Sequence, residues 1–153
     1  RPGVELQAGA VLPFVPEIPH AVLTLSDVAF AEHEVLPGDG WIDFVRPFRT
    51  VEDLHVHGAL LGWLIAVAPG GPAFVERALA LVAAIRQLAV LSPSSPAVHR
   101  AFGGVAEGTR LLLQDADWTD VDPLTRQRWQ RDRPLLDIAG KARAARLEKA
   151  RRA

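Results

Sequence analysis

The sequence predicts a mainly helical α+β fold, with a short antiparallel β portion followed by an antiparallel bundle of four to five helices. Three observations predict it. Residues 1–48 contain Pro2, Pro13, Pro16, Pro19, Pro37 and Pro47, spaced so that no helix of useful length fits between them. From Thr50 onward the apolar residues adopt the helical period. Later apolar-periodic runs end in Pro, Gly, Ser or Asp, the residues that stop one helix and start the next. Two segments follow, a strand-and-loop portion over residues 1–48 and a helical portion over residues 49–153.

Within the first portion, Val22, Leu23, Thr24, Leu25, Val28 and Phe30 read as a strand pair or one bulged strand around Ser26 and Asp27. Pro37-Gly38-Asp39-Gly40 carries turn chemistry. Thr50 then reads as an N-cap with Asp53 three residues on, close to a capping box. Val51, Leu54, Ala59, Leu61, Leu64 and Ile65 continue this helix until Ala68-Pro69-Gly70-Gly71-Pro72 stops it. Apolar residues cover most of its circumference, so a central position is expected.

A second helix is expected from about Ala73 to Leu91, with Phe74, Leu81, Val82, Ile85 and Leu88 on one stripe. A third begins with Ser95 as N-cap and Pro96 at the first helical position, and passes through a flexible Phe102-Gly103-Gly104 to about Leu113. Short connections make these helices antiparallel neighbours. After an acidic loop from Gln114 to Val121, Asp122-Pro123 starts a short helix bearing Trp129. Pro134 starts a last helix reaching about Arg151.

A chain of 153 residues buries roughly 68–70% of its unfolded surface, enough for one independent core. Apolar residues at 49% and charged residues at 23% are ordinary globular values, which excludes a disordered or collagen-like chain. Without cysteine there are no disulfides, thiolate metal ligands or cysteine nucleophiles, and a reducing, cytoplasmic setting is expected. The most apolar run, Gly58 to Ala68, is about half the ~20 residues of a membrane span, so a soluble protein off the membrane is expected. With no methionine anywhere, the sequence is expected to begin after processing, trimming or an upstream segment.

Charge is distributed unevenly. Residues 126–152 hold ten Lys or Arg against Asp132, Asp137 and Glu148, a balance of +7, while the rest of the chain carries −8. Arg126, Arg133, Lys141, Arg143, Arg146 and Lys149 alternate with Leu135, Leu136, Ile138, Ala142, Ala145 and Leu147. That pattern reads as a solvated helix face rather than a nucleic-acid interface, and the terminal bases suit a helix C-terminus.

The order of Arg1-Pro2-Gly3-Val4, Leu23-Thr24-Leu25-Ser26-Asp27-Val28, Val35-Leu36-Pro37-Gly38-Asp39-Gly40 and a long apolar helix resembles one passage in the acyl-CoA dehydrogenases. It is the step from their middle β-domain into their C-terminal helical domain. Arg131-Asp132-Arg133-Pro134-Leu135-Leu136-Asp137-Ile138 resembles the closing segment of the same family. The resemblance implies FAD-dependent oxidation of an acyl-CoA thioester, and helices that form the core of a homo-oligomer or of a complex with a heteromeric partner chain. The family's N-terminal helical domain has no counterpart here, so a complete pocket would need another chain.

Chemistry of that kind needs a carboxylate to remove the proton beside the thioester carbonyl, its pKa raised by desolvation. Where most members carry that base after the closing isoleucine, this chain has Ala139-Gly140-Lys141-Ala142. In a smaller branch the base opens the first long helix, and Glu52-Asp53-Leu54 with Leu61-Gly62 matches that spacing. The resemblance therefore implies Glu52 as catalytic base; a first-turn acid favoured by the helix dipole is the other reading. The family's arginine ahead of a Phe-Gly pair, which meets the flavin diphosphate, is missing between Ala68 and Gln87. Arg100-Ala101-Phe102-Gly103-Gly104 partly matches a second cofactor motif and implies Arg100, Gly103 and Gly104 as cofactor-binding residues. A helix break or a tight helix crossing accounts for the two glycines equally well.

Other constellations carry less. His55 and His57 lie two apart on a helix and point to different sides, and His20, His33 and His99 are scattered, so no metal site is expected. There is no Gly-x-Ser-x-Gly elbow and no glycine-rich phosphate loop before a helix. Trp41, Trp63, Trp118 and Trp129 read as packing anchors. Two functions follow: an acyl-CoA dehydrogenase-like flavoprotein, or a non-catalytic interaction or scaffold subunit derived from that fold.

Overall fold

A computed structural model describes residues 1–67 and 70–153. Strand β1 (Val4–Ala8) pairs antiparallel with β2 (Ala21–Leu25), Val4 facing Leu25, Leu6 facing Leu23 and Ala8 facing Ala21. Backbone bonds from Gly9 N–H to His20 (2.7 Å) and from Ser26 N–H to Gly3 (2.8 Å) extend the ladder at both ends. Gly3 is obligatory there: its φ is +79°, and a Cβ would stand 2.1 Å from the Ser26 carbonyl oxygen. Val28 and Phe30 do not join the sheet. The backbone turns away at Asp27, whose φ is +51°, and the partner of Val22–Leu25 comes instead from the segment before Pro13.

After a single 3-10 turn at Glu32–Glu34, continuous helical backbone begins at Gly40, ahead of residue 48. A π-helical turn over Gly40–Val45 runs into α1 (Arg46–Val67). Asp39 caps it: its side chain accepts from Trp41 N–H (2.9 Å) and Ile42 N–H (2.8 Å), while Asp43 accepts from Asp39 N–H (2.8 Å). Thr50 is therefore not an N-cap but sits inside α1, buried. Pro47, which has no N–H to continue the helical ladder, stands where the π-helical turn passes into α1.

Helix α1 buries Thr50, Leu54, His57, Leu61 and Leu64, one stripe at alternating spacings of four and three with Asp53 beside it, rather than most of its circumference. The expected stop at Ala68 and Pro69 lies outside the described residues. Helix α2 (Gly71–Ala89) packs on α1 through Phe74, Ala78, Ile85 and Leu88. Helix α3 (Pro96–Gln114) packs on both, burying Val98, Phe102, Val105, Thr109 and Leu112, and continues through Gly103 and Gly104 without a break. Leu61, Leu64, Val98 and Leu112 have no measurable exposure and form the centre of the core.

Asp122 caps α4 (Pro123–Asp132), accepting from Thr125 N–H at 2.8 Å. The last helix is divided. A single turn, α5 (Leu135–Ile138), is separated by Ala139 from α6 (Gly140–Arg152), which lies against α3. Glycine at position 140 costs about 1 kcal/mol of helix propensity relative to alanine, which suits a junction. The architecture is the expected antiparallel helical bundle carrying a two-stranded arm.

Candidate functional site

Two parts of the structure carry polar chemistry or unpartnered surface: a clasp between α1, α3 and α6, and the β arm. Asp53 centres the clasp. It is 5% exposed, and both carboxylate oxygens accept from arginines of α6, Oδ1 from Arg143 at 3.1 Å and Oδ2 from Arg146. One turn on, buried His57 holds the Asp53 carbonyl through Nδ1 at 2.9 Å and meets the Phe102 ring edge-on at 5.0 Å. The Arg143 guanidinium lies over the other side of this cluster, 5.8 Å from the Phe102 centroid. Burial pushes the His57 imidazole below its ordinary value, Arg143 adding to the shift. Arg100 completes the clasp by donating Nε to the Ala150 carbonyl at 2.7 Å.

The residues implied as cofactor ligands come together. Arg100, Gly103 and Gly104 line one groove of about 500 Å³ with Glu107, Leu147 and Arg151. A Cβ on Gly103 would stand 2.9 Å from Leu147, so that glycine lets α6 approach α3; beside Gly104 the space is open. Arg100 is already engaged with Ala150, and Leu147 occupies the place beside Gly103 where a cofactor would approach.

Glu52 lies elsewhere. It is exposed on the outer face of α1, 3.6 Å from Arg49, and lines none of the described cavities. His55 is exposed while His57 is buried. Among the described residues no group of three or more His, Asp or Glu side chains could hold a metal ion, and no helix is long and apolar enough to cross a membrane.

Trp63, Trp118 and Trp129 form a triangle with centroids 5.4–5.8 Å apart, whereas Trp41 is 64% exposed in the π-helical turn before α1. The triangle borders an apolar pocket of about 450 Å³ between α1 and α4–α5. Aromatic character alone does not place three distant tryptophans together, and no local signal links them.

The arm contrasts with the bundle. Val4, Leu6, Leu23 and Leu25 share one face of the hairpin, with Leu6 at 72% exposure, while Glu5, Gln7 and Thr24 share the other with Val22. Trp41, Ile42, Phe44 and Phe48 continue the exposed apolar surface into α1. One polar latch ties the arm to α4. Val15 N–H donates to Asp132 Oδ1 (2.7 Å), and Arg131 bridges Asp132 (2.7 Å) and Glu17 (2.8 Å).

Both latch carboxyls are held below their ordinary values, Asp132 by Arg131 and then Val15 N–H, Glu17 by its own backbone N–H and then Arg131. Carboxyls with lowered folded pKa values stabilise above their ordinary values of 3.8 and 4.5, and that contribution disappears as pH falls through the lowered ones. Acid is therefore expected to release the arm before the bundle. Amide exchange below about pH 4 checks this: protection should fall first over Val4–Leu25, and simultaneous loss in α1 and α3 would contradict it.

Comparison with protein-family models, with curated proteins and with solved structures finds no match to this chain.

Proposed function

We propose that the chain is a non-catalytic interaction subunit that assembles with a second copy of itself through the β arm. One observation carries this reading: the apolar face of the hairpin, Val4, Leu6, Leu23 and Leu25, stays 40–72% exposed among the described residues. A two-stranded hairpin is marginal in water, and a sheet with one apolar face requires a second layer. Contiguous apolar patches of this kind mark interaction surfaces, in contrast to single exposed leucines.

Charge selects the occupant. Residues 1–45 carry seven carboxylates against Arg1 alone, a balance of −6, and residues 126–152 carry +7. An acidic, apolar arm and a basic helical end on the same chain are complementary between two copies. The lack of cysteine suits a reducing, cytoplasmic setting.

Light scattering after gel filtration tests the reading. A dimer at low salt that weakens as salt screens the charges is expected, and so is a monomer with unchanged helical circular dichroism for the L6D/L23D variant. A parent chain that stays monomeric at high micromolar concentration would overturn it.

A second reading, an acyl-CoA dehydrogenase-like flavoprotein, is favoured by the convergence of Arg100, Gly103 and Gly104 with Arg151 in one groove. It needs the second copy, or a heteromeric partner, to supply the rest of a flavin and acyl-CoA pocket, with Glu52 as base. FAD absorbance retained through gel filtration supports it, and colourless protein that takes up no added FAD removes it.

A further inference from the structure

The cleft where the first turn of α1, the start of α3 and the end of α6 meet differs from the other cavities described above. Arg46 and Thr50 of α1, His99 of α3, and Arg146 and Lys149 of α6 line it, and no aspartate or glutamate does. Its volume is about 100 Å³, several times the roughly 10–15 Å³ that admits one water. That space is ample for one compact polar group.

Positive charge is concentrated here beyond what the fold uses. Arg146 is held by Asp53, but Arg46 and Lys149 belong to no ion pair among the described residues. Helix α3 also begins here, and the Ser95 side chain makes no capping bond to its first turn. The first N–H groups of a helix and its dipole favour an anion. Thr50 supplies the second, independent sign. It is 1% exposed, it forms part of the cleft lining, and its buried hydroxyl is reached by no protein acceptor or donor. A buried hydroxyl without a partner is costly enough that one is expected.

The geometry points to a tetrahedral-oxyanion site, in which a phosphate group sits among Arg46, His99, Arg146 and Lys149 and an oxygen accepts from the Thr50 hydroxyl. Convergence of cations from three helices suits a group with oxygens on all sides, where a planar carboxylate would meet only part of the set. Burial, with Arg146 and Arg46 behind it, pushes the His99 imidazole below its ordinary value, and an anion seated beside the ring reverses the charge part of that shift. The phosphate has two sources, free inorganic phosphate or the terminal group of an organic phosphomonoester that leaves its body outside the cleft. The site stands whether or not the chain self-associates.

The full chain, titrated with inorganic phosphate against chloride at constant ionic strength, tests this. A saturable rise in melting temperature is expected, together with a rise in the His99 pKa followed by proton NMR. Thr50→Val keeps the shape and removes the hydroxyl. It should melt no lower than the parent in chloride and bind phosphate about tenfold more weakly, and Lys149→Ala should weaken binding similarly. Glycerol phosphate binding more tightly than inorganic phosphate assigns an organic monoester, and the reverse order assigns free phosphate. Phosphate acting no better than chloride, or Thr50→Val binding phosphate as tightly as the parent, overturns the site.

Discussion

Replacing Asp53 with alanine is expected to destabilise the protein by about 3 kcal/mol and to free α6 from the bundle. The carboxylate is 5% exposed and accepts from two guanidiniums on the far end of the sequence. Without it, Arg143 and Arg146 face each other across a partly buried site with no counter-charge. Removing one member of a buried ion pair costs roughly 3–5 kcal/mol, because the remaining charge is left desolvated. The low end applies here: the two arginine side chains keep 19% and 20% exposure and can swing partway into water.

Urea denaturation of the variant measures the loss, and amide exchange across Gly140–Arg152 locates it. Two controls separate charge from packing. Asp53→Asn keeps the shape and should lose most of the same stability. The triple variant D53L/R143M/R146L removes every charge and should recover to near the parent, since apolar replacement of a whole buried ionic group is often neutral or better. An alanine variant within about 1 kcal/mol of the parent would mean that the clasp is ordinary surface pairing.

Asp53 also shows where sequence reading succeeds and where it stops. The helical starts at Asp122-Pro123 and Ser95-Pro96 are legible because capping and proline chemistry act within a few residues. Thr50 is misleading for the same local reason. It looks like a cap, but Asp39 holds the chain earlier and helical backbone is already established when Thr50 is reached. Glu52 and Asp53 are neighbours in sequence, yet one residue turns a helix by about 100°. One carboxylate faces water beside Arg49 while the other faces α6.

The resemblance selects the first, and only long-range packing distinguishes the second. Residues Asp53 and Arg143 are ninety apart, and no periodicity or local pairing rule connects them. The same limit hides the Trp63–Trp118–Trp129 triangle and the pairing of β2 with Val4–Ala8, both decided by where distant segments meet. Gly103 is intermediate. Its two alternatives were readable, and Leu147 of α6, standing where a Cβ would go, accounts for it as a close crossing.

Phe102→Ala is expected to cost about 3–5 kcal/mol, the usual penalty for emptying a well-packed aromatic site. The ring is 2% exposed in the centre of α3 and supports three things together: the hydrophobic core, the buried imidazole of His57 and the guanidinium of Arg143. Loss of the ring leaves a cavity beside His57, whose neutral form is favoured by the apolar surroundings the ring supplies. Water entering that cavity would let the imidazole titrate nearer its ordinary range.

The pH dependence follows from that shift. A histidine whose folded pKa is lowered costs no stability above its ordinary value of 6.5, and costs progressively more as pH falls from there towards the lowered one. The parent should therefore lose stability on that descent through His57, and Phe102→Ala should show a shallower slope from a lower starting point. Phe102→Leu fills part of the space without an aromatic face, so it should recover most of the packing but not the contact with Arg143.

Because Phe102, Arg143 and Asp53 share one cluster, the effects of Phe102→Ala and Asp53→Ala should not add. Each variant already loosens α6, so the double variant should fall short of the sum by about 1 kcal/mol or more. Simple additivity would show that the Phe102 ring and the Asp53 carboxylate act on α6 independently.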